Sequence, residues 1–385
     1  MRVLTIFGTR PEAVKLAPVI QQLQIYPEIQ STVCVTAQHR EMLDQVLSIF
    51  KITPDIDLNL MKPNQSLADL TARILTELNP VLLDVKPDWV LVQGDTTTVM
   101  ATALLCYYLK IKVGHVEAGL RTYNKWQPFP EEINRKIAGV IADLHFAPTE
   151  HSRRNLLNEG IPDWRILVTG NPVIDALRQI TAQPEPKIIL SLLRDKGILS
   201  GKKKLVLVTA HRRENFGEPL QHICNAIRRL ADELKDEIHI VYPVHLNPNV
   251  QDVAYPMLDN HPAITLLNPL DYTDMVALEK HASILLTDSG GIQEEASALS
   301  IPTLVLRHTT ERPEGVETGI LQLVGDDEQL IVSRATALLR DPQHMAEVKR
   351  LPNPYGDGHA AEKIVHGLLN FEDRENTDQD GNSSA

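Results

Sequence analysis

The sequence predicts an α/β protein with two Rossmann-like, doubly wound parallel-sheet domains that face a cleft. Short β-branched segments alternate with longer helical patterns along the whole chain, as expected for βα units. Each half contains about six such segments, the strand number of a doubly wound nucleotide-binding sheet. The length, 385 residues, is long for one hydrophobic core and suits two domains.

The predicted strands begin where β-branched and aliphatic residues cluster between turn-forming residues. Those of the first half are Val3–Phe7, Gln30–Thr36, Trp89–Gln93, Lys112–Val116, Leu144–Ala147 and Ile166–Thr169. Those of the second half are Leu205–Thr209, Ile238–Pro243, Ile264–Leu267, Ser283–Thr287, Thr303–Leu306 and Gln322–Val324. Because such sheets bind ligands outside the carboxyl ends of their strands, these ends locate the candidate site residues.

The domain boundary is predicted in the segment Gly170–Pro186, which contains clustered glycine, asparagine and proline. We therefore expect a first domain over residues 1–170 and a second over residues 171–358. A helix over residues 359–371 is expected to pack back on the first domain. The last fourteen residues, 372–385, carry five acids and one base, which predicts a disordered acidic tail.

The net charge of −12 argues against a nucleic-acid partner or an anionic membrane surface, because both are negatively charged. No segment reaches the ~18 to 20 apolar residues of a transmembrane helix, and the apolar start is too short for a signal peptide. The three cysteines lie far apart in apolar segments. This favours a reduced cytoplasmic protein over a disulfide framework or a metal site.

Cations follow the first strand, where the segment Gly8–Lys15 turns into a helix. Arg10 and Lys15 on its first turns oppose the helix macrodipole, which is explained if they face a bound anion. A solvated surface turn explains them equally well, since the segment lacks the G-x-G-x-x-G pattern of a dinucleotide site. This segment alone leaves both interpretations open.

Carboxylates end two consecutive strands, and a third one opens a helix. Asp95 and Glu117 follow Trp89–Gln93 and Lys112–Val116, each with a glycine nearby. Capping of the next helix explains Asp95 well and Glu117 poorly. Glu131 follows a loop rich in proline and aromatic residues, and by itself it is an ordinary acid in a first helical turn.

The second half contains a stronger signal after its fourth predicted strand. Ser289, Gly290 and Gly291 form a strand-to-helix turn whose backbone N–H groups can approach phosphate oxygens closely. Glu295, about one turn into the helix, is placed to bind a ribose diol. A tight turn with a capping side chain explains the glycines about as well. The next strand end adds Arg312 and further cations beside the same edge, which favours a phosphate site.

His211 follows the first strand of the second half and stands beside two arginines. A histidine beside two arginines is more often part of a solvated loop. This one follows a strand end, however, where we expect it to face the cleft. The sequence contains no H-E-x-x-H, C-x-x-C or G-x-S-x-G pattern that would account for it.

Taken in order, these segments resemble the non-hydrolysing UDP-N-acetylglucosamine 2-epimerases, which share the two-domain fold of the GT-B glycosyltransferases. The resemblance extends over nearly the whole chain except the acidic tail. The matching segments are Gly8–Glu12, Thr36–Leu43, Val92–Thr96, Val116–Arg121, Pro130–Arg135, Thr209–Asn215, Thr287–Glu295, Glu311–Gly315 and Asn353–Gly358.

This resemblance implies interconversion of UDP-GlcNAc and UDP-ManNAc without NAD, a metal or another cofactor. UDP is eliminated to leave 2-acetamidoglucal and is then added back with the opposite configuration at C2. The implied partners are a UDP-sugar, bound by the second domain, and a second copy of the chain in a homodimer.

The resemblance also implies roles for the site residues. Asp95, Glu117 and Glu131 become the acid/base and charge-stabilising carboxylates, and His211 assists departure of the diphosphate. The implied substrate-binding residues are Arg10, Lys15 and Arg312 for charge, Ser289, Gly290 and Gly291 for phosphate, Glu295 for the ribose, and Leu270 and Met275 for the uracil.

Four alternative functions fit the same residues less fully. They are an epimerase for another UDP-2-acetamido sugar, an enzyme that hydrolyses the glycal, a GT-B glycosyltransferase that needs an acceptor, and a non-catalytic nucleotide-sugar sensor. A sensor has no use for three extra carboxylates.

Some members of the family are also activated by UDP-GlcNAc at the loop corresponding to Gln38 and His39. Around Asn64 and Gln65 this chain lacks an arginine of that regulatory site.

Overall fold

The structure of the protein, a computed structural model, describes residues 1–36, 40–61 and 65–382. It confirms the predicted fold class, because the chain forms two α/β units, each built on a parallel sheet. The first unit comprises Met1–Ala176 together with the chain from Tyr355 onward, and the second comprises Leu177–Pro354. The division falls six residues after the expected boundary at residue 170, and the chain re-enters the first unit four residues before residue 359.

Within the described residues, the first unit contains a seven-stranded sheet whose order is β3-β2-β1-β4-β5-β6-β7. The sequence does not predict β3, because two residues are too few for a recognisable strand pattern. The strands are β1 (Arg2–Phe7), β2 (Gln30–Val35), β3 (Ile56–Asp57), β4 (Trp89–Gln93), β5 (Lys112–Val116), β6 (Leu144–Ala147) and β7 (Ile166–Val168).

The described part of the second unit contains a six-stranded sheet. Its strands are β8 (Lys204–Thr209), β9 (Ile238–Pro243), β10 (Ile264–Leu267), β11 (Ala282–Thr287), β12 (Thr303–Val305) and β13 (Leu321–Leu323). The order is β10-β9-β8-β11-β12-β13. Both sheets follow the doubly wound plan, whose switch point lies between the first and fourth strands. The switch points therefore lie between β1 and β4 and between β8 and β11.

Helices connect the strands of both units. Among those that the structure describes, none combines the length and apolar character of a membrane span. The helices are α1 (Arg10–Leu23), α2 (Arg40–Ile49), α3 (Leu67–Val85), α4 (Thr97–Leu109), α5 (Glu131–Ile141), α6 (Glu150–Asn158), α7 (Pro172–Thr181), α8 (Lys187–Asp195), α9 (Glu218–Glu233), α10 (Pro248–Leu258), α11 (Tyr272–His281), α12 (Gly290–Ala298), α13 (Pro313–Glu317), α14 (Glu328–Arg340), α15 (Pro342–Val348), α16 (Ala360–Leu369) and α17 (Phe371–Asn382).

The helix starts at the first switch point are fixed by threonine caps. Thr9 caps α1 in a capping box with Glu12, and Pro11 stands at the start of the helix. Thr96 caps α4 by accepting a hydrogen bond from the backbone N–H of Val99 at 3.3 Å. Both helices therefore begin directly after a strand, and the intervening turns lie at the carboxyl edge of the sheet.

Helix α16, the last apolar helix of the chain, packs against α1 and belongs to the first unit. Its residues Ile364, Val365 and Leu368 are buried. The hydroxyl of Tyr26 is hydrogen bonded to Nε2 of His366 at 2.8 Å. The last apolar helix thus completes the core of the first unit, although the second unit precedes it in the chain.

The described part of the expected acidic tail, residues 372–382, lies in α17, and its disorder stays a prediction. Phe371 is buried against Trp89 and Trp164, with ring centroids 4.9 and 5.7 Å apart, respectively. Arg374 Nε donates to the backbone oxygen of Trp164 at 2.9 Å. The start of α17 is therefore anchored by Phe371, the residue before the expected tail.

Two histidines are buried side by side in the first sheet. His115 of β5 and His145 of β6 are register partners. Burial lowers the pKa of His115 to about 4 and that of His145 to about 3. Both rings are therefore neutral at pH 7. His115 Nε2 lies 2.7 Å from the backbone oxygen of Gly94, so this nitrogen carries the proton and donates it.

Replacing the buried histidine in His145→Leu should remove one source of acid sensitivity. A histidine in the unfolded chain has a pKa of about 6.5 and binds a proton that the folded protein excludes. As the pH falls from about 6.5 towards 3, the unfolding free energy of the wild type should fall relative to the variant by about 1.4 kcal/mol per pH unit. Urea titrations at pH values of about 7, 6 and 5 measure the difference. Parallel curves would contradict it.

Candidate functional site

The turn after β1 is bound to the turn after β4 through the buried carboxylate of Glu12. This carboxylate accepts hydrogen bonds from the backbone N–H groups of Gly8 at 3.1 Å and Thr9 at 2.8 Å. It also accepts one from the hydroxyl of Thr96 at 2.8 Å. Burial raises the pKa of Glu12, while these donors lower it. Glu12 therefore joins the two strand ends at the switch point, next to Arg10, which opens α1.

Glu117 lies at the end of β5 and is held by side chains from other segments of the first unit. Lys15 Nζ contacts Oε1 at 2.5 Å, and both side chains are buried. Asn171 Nδ2 donates to the same oxygen at 2.9 Å. Gln93 Nε2 donates to Oε2. The backbone of Glu117 is left-handed, with φ +62°, a conformation that a non-glycine residue adopts only where its surroundings stabilise it.

Asp95 follows β4 and is held by the start of α5. Its carboxylate pairs with Arg135 Nη2, and its backbone oxygen accepts a hydrogen bond from Asn134 Nδ2 at 3.0 Å. Because Thr96 is the cap of α4, capping does not explain Asp95. The side chain of Asp95 is 27% exposed, in contrast to that of Glu117, which is 4% exposed. Asp95 thus combines a fixed position with access from solvent.

Glu131 is the first residue of α5, so the helix that holds Asp95 also presents Glu131. The next residue, Glu132, accepts hydrogen bonds from the backbone N–H groups of Thr122 at 3.1 Å and Tyr123 at 3.0 Å. These bonds tie the start of the helix to the loop that follows Glu117. Asp95, Glu117 and the start of α5 therefore form one connected cluster in the first unit.

At the second switch point, the buried Asp288 joins the turns after β8 and β11. Its Oδ2 accepts hydrogen bonds from the backbone N–H groups of His211 and Arg212, each at 2.8 Å. It also accepts one from Asn215 Nδ2 at 2.9 Å. The loop that carries His211 is thereby attached to the residue that precedes Ser289.

The ring of His211 is 34% exposed and stacks on His245, with ring centroids 5.3 Å apart. Burial lowers the pKa of His211, opposed by the charge of Asp288 and assisted by Arg212 and His245. The imidazole is therefore neutral at pH 7, and a neutral imidazole still donates one hydrogen bond.

Arg312 packs against the first turn of α12, where it leaves no room for a side chain at Gly290. Its Nε donates to Glu294 Oε1 at 2.7 Å, and its Nη1 donates to Glu311 Oε1 at 2.5 Å. A Cβ atom on Gly290 would lie 2.6 Å from Arg312 Nη1, closer than any such contact allows. A Cβ on Gly291 would meet no described atom within 4 Å. Ser289 is the N-cap residue, yet its hydroxyl makes no capping bond to the described helix.

Of the residues expected at the nucleoside, Glu295 lies on α12, Met275 lies on α11, and Leu270 lies just before α11. Glu295 Oε1 accepts a hydrogen bond from the hydroxyl of Tyr272 at 2.7 Å. Met275 is buried among core residues such as Leu207, and Leu270 packs at the edge of the same cluster. Structurally, Met275 is a core residue with little exposed surface, and contact with uracil stays a prediction.

The expected regulatory positions Gln38, His39 and Asn64 lie outside the described residues. Gln65 is described, and its Oε1 accepts a hydrogen bond from Arg73 Nη1 at 3.4 Å. The sequence interpretation also missed the residues that hold the expected acids and cations in place. They are Gln93, Asn134, Arg135, Asn171, Tyr272, Asp288, Glu294 and Glu311. Several of them end strands or open helices, and that position was the available signal.

Two doubly wound units with polar sites at both switch points define a GT-B-like α/β protein. A sequence profile of the UDP-N-acetylglucosamine 2-epimerase family matches residues 21–369. The UDP-N-acetylglucosamine 2-epimerase of Escherichia coli (strain K12) is 51% identical over 372 residues, which cover 96% of this chain and 99% of that protein. The chain therefore belongs to the UDP-N-acetylglucosamine 2-epimerase family.

Solved structures agree with this assignment. The UDP-GlcNAc 2-epimerase from Neisseria meningitidis bound to UDP-GlcNAc is 49% identical, with a TM-score of 0.88 over 96% of this chain and 100% of that one. The Methanocaldococcus jannaschii UDP-GlcNAc 2-epimerase in complex with UDP-GlcNAc and UDP is 35% identical, with a TM-score of 0.84 over 96% and 99%. The likeness thus extends over both units.

Alanine at the two adjacent glycines should have unequal effects on stability. Gly290→Ala forces its Cβ against the anchored guanidinium of Arg312, so we expect a loss of about 1–3 kcal/mol in unfolding free energy. Gly291→Ala meets open space and should change it by less than about 1 kcal/mol. Denaturant titrations compare the two variants, with Gly291→Ala as the matched control. Equal losses would show that the Arg312 contact does not restrict this turn.

Proposed function

We propose that the protein catalyses the reversible C2 epimerisation of UDP-GlcNAc and UDP-ManNAc. The observation that carries the proposal is the pair of carboxylates, Asp95 and Glu117, at the ends of neighbouring strands and held in different ways. Family membership supports the UDP-sugar as substrate, as do the relatives whose structures contain UDP-GlcNAc.

The chemistry requires groups that move a proton and groups that stabilise a leaving diphosphate. The C2 proton is not next to a carbonyl, so it becomes removable only as the C1–O bond to UDP breaks. A carboxylate takes this proton, the C2–H electron pair forms the C1–C2 double bond, and the C1–O pair leaves with UDP. The resulting 2-acetamidoglucal accepts a proton at C2 on the opposite face while UDP oxygen returns to C1. This sequence is redox-neutral and needs no hydride acceptor.

The residues of the first unit suit the proton transfers. Glu117 is ion-paired with Lys15 and fixed in orientation, whereas Asp95 is partly exposed beside Arg135. Glu131 opens the helix that holds Asp95. Two or more carboxylates in unlike surroundings can differ in protonation, as an acid and a base acting on the same carbon must.

The residues of the second unit suit a nucleoside diphosphate. The helix N-terminus at Gly290 and Gly291 offers backbone N–H groups and a favourable dipole to phosphate. The open space at Gly291 leaves room for a ligand atom. Glu295 is positioned by Tyr272 to accept hydrogen bonds from a ribose. A neutral His211 can donate a hydrogen bond to the departing diphosphate. The proposed homodimer stays a prediction.

Incubation of UDP-GlcNAc with the protein in D₂O should put deuterium at C2 as UDP-ManNAc accumulates, because the abstracted proton exchanges before it is returned. A proton NMR time course follows both signals. Release of free ManNAc with stoichiometric UDP would instead indicate a hydrolysing enzyme. Absence of C2 exchange unless an acceptor is present would indicate a glycosyltransferase, and unchanged but bound substrate a sensor. A 2,3-diacetamido UDP-sugar that reacts faster than UDP-GlcNAc would reassign the substrate.

Asp95→Asn should retain UDP binding and lower kcat by about 10²–10⁴-fold, because an amide cannot exchange a proton in the reaction. Calorimetric titration with UDP and kcat measurements separate the two effects. Asp163→Asn is the matched control, since Asp163 also pairs with an arginine, Arg153, but on an exposed surface. Full turnover in Asp95→Asn would refute the role given to Asp95.

A further inference from the structure

Asn171 lies just after β7 and is buried. Its Oδ1 accepts a hydrogen bond from the backbone N–H of Val173 at 3.4 Å, and its Nδ2 donates to Glu117 Oε1 at 2.9 Å. Since an N–H group can only donate, the amide oxygen must face Val173 and the NH₂ group must face Glu117. The backbone thus determines which end of the amide meets the carboxylate.

The main chain at Asn171 is itself fixed by the point at which the chain returns to the first unit. Asn171 N donates to the backbone oxygen of Tyr355 at 2.8 Å. Gly170 has φ +83° and Gly356 has φ +116°, and a Cβ on Gly356 would lie 2.9 Å from Gly170 Cα. The departing and returning segments therefore touch through their backbones, which leaves Asn171 little freedom to shift.

The two groups on Glu117 Oε1 contribute different things. The ammonium of Lys15 neutralises the charge, but it is a compact point charge that can be approached from many directions. The planar amide of Asn171 specifies a direction. Gln93 Nε2 donates to the other carboxylate oxygen, Oε2. We infer that Asn171 is a positioning residue that sets, together with Gln93, the rotation of the Glu117 carboxylate, and thereby the oxygen that exchanges a proton at C2. This inference rests on the proposed epimerase function.

The first test compares Asn171→Ala with wild type in the D₂O exchange assay. Loss of the amide should lower kcat by about 10²-fold, the cost of a carboxylate misplaced by about 1 Å, while KM changes by less than about threefold. Gln21→Ala is the matched control, because it removes an amide that donates to the backbone oxygen of Phe50 at 3.0 Å rather than to a carboxylate. Equal effects in the two variants, or a change confined to KM, would overturn the positioning role.

The second test uses Asn171→Asp, which keeps the shape of the side chain but donates only when its new carboxyl group is protonated. Its kcat relative to wild type should therefore rise as the pH is lowered, and Asn171→Ala should show no such recovery. A purely structural role predicts the same pH profile for both variants. That result would also refute the inference.

A third measurement separates this inference from the proposed function. Thermal unfolding of Asn171→Ala, Glu117→Gln and the double variant should give non-additive Tm shifts, because the two side chains share a hydrogen bond. This readout does not depend on turnover. If wild type shows no C2 exchange but the Tm shifts are non-additive, the proposed function fails and the contact stands. Additive Tm shifts overturn the inference even if wild type is an active epimerase.

Discussion

In the first unit, a buried ion pair between Lys15 and Glu117 connects the helix after β1 to the end of β5. A charge placed out of water must be paired and hydrogen bonded, and removing one partner of such a pair typically costs about 3–5 kcal/mol. The helix after β1 therefore has to present Lys15 to the end of β5, and β4 has to lie between them in the sheet. Gly94 turns the chain after β4 with φ +77°, a conformation that favours glycine. The order of the strands and the position of the Glu117 carboxylate therefore depend on each other.

The second unit repeats the strand order of the first, but the buried charge beyond its fifth strand has the opposite sign. Counted within each sheet, Glu117 follows the fifth strand of the first unit, and Arg312 lies beyond the fifth strand, β12, of the second. Glu117 is a buried anion held by a cation and amides, whereas Arg312 is a buried cation held by Glu294 and Glu311. An acid follows the fourth strand in both units, Asp95 and Asp288. A buried carboxylate thus directly follows the fifth strand of the first unit, and a buried cation lies seven residues beyond the fifth strand of the second.

Strand positions were predictable because parallel strands buried on both faces read as short aliphatic segments, and most predicted limits lie within a residue of the observed ones. Asp95, Glu117, His211 and Ser289 could be named as candidate site residues because each follows a strand whose end was predictable. The supporting residues were not predictable in this way. Asn171 meets Glu117 across 54 residues of chain, and nothing local distinguishes it from a turn former.

The return of the chain to the first unit has a consequence for synthesis. Tyr355, which holds Asn171, and α16, which packs on α1, are made only after the whole of Leu177–Pro354. The second unit is one continuous segment and can fold as soon as it leaves the ribosome, whereas the first waits for its last helix. Although its sheet emerges first, the N-terminal unit is the later one to be completed. The hydrogen bonds around Asn171 and Glu117 therefore reach their final form only near the end of translation, and a chain that stops before Tyr355 lacks the backbone contact that holds Asn171.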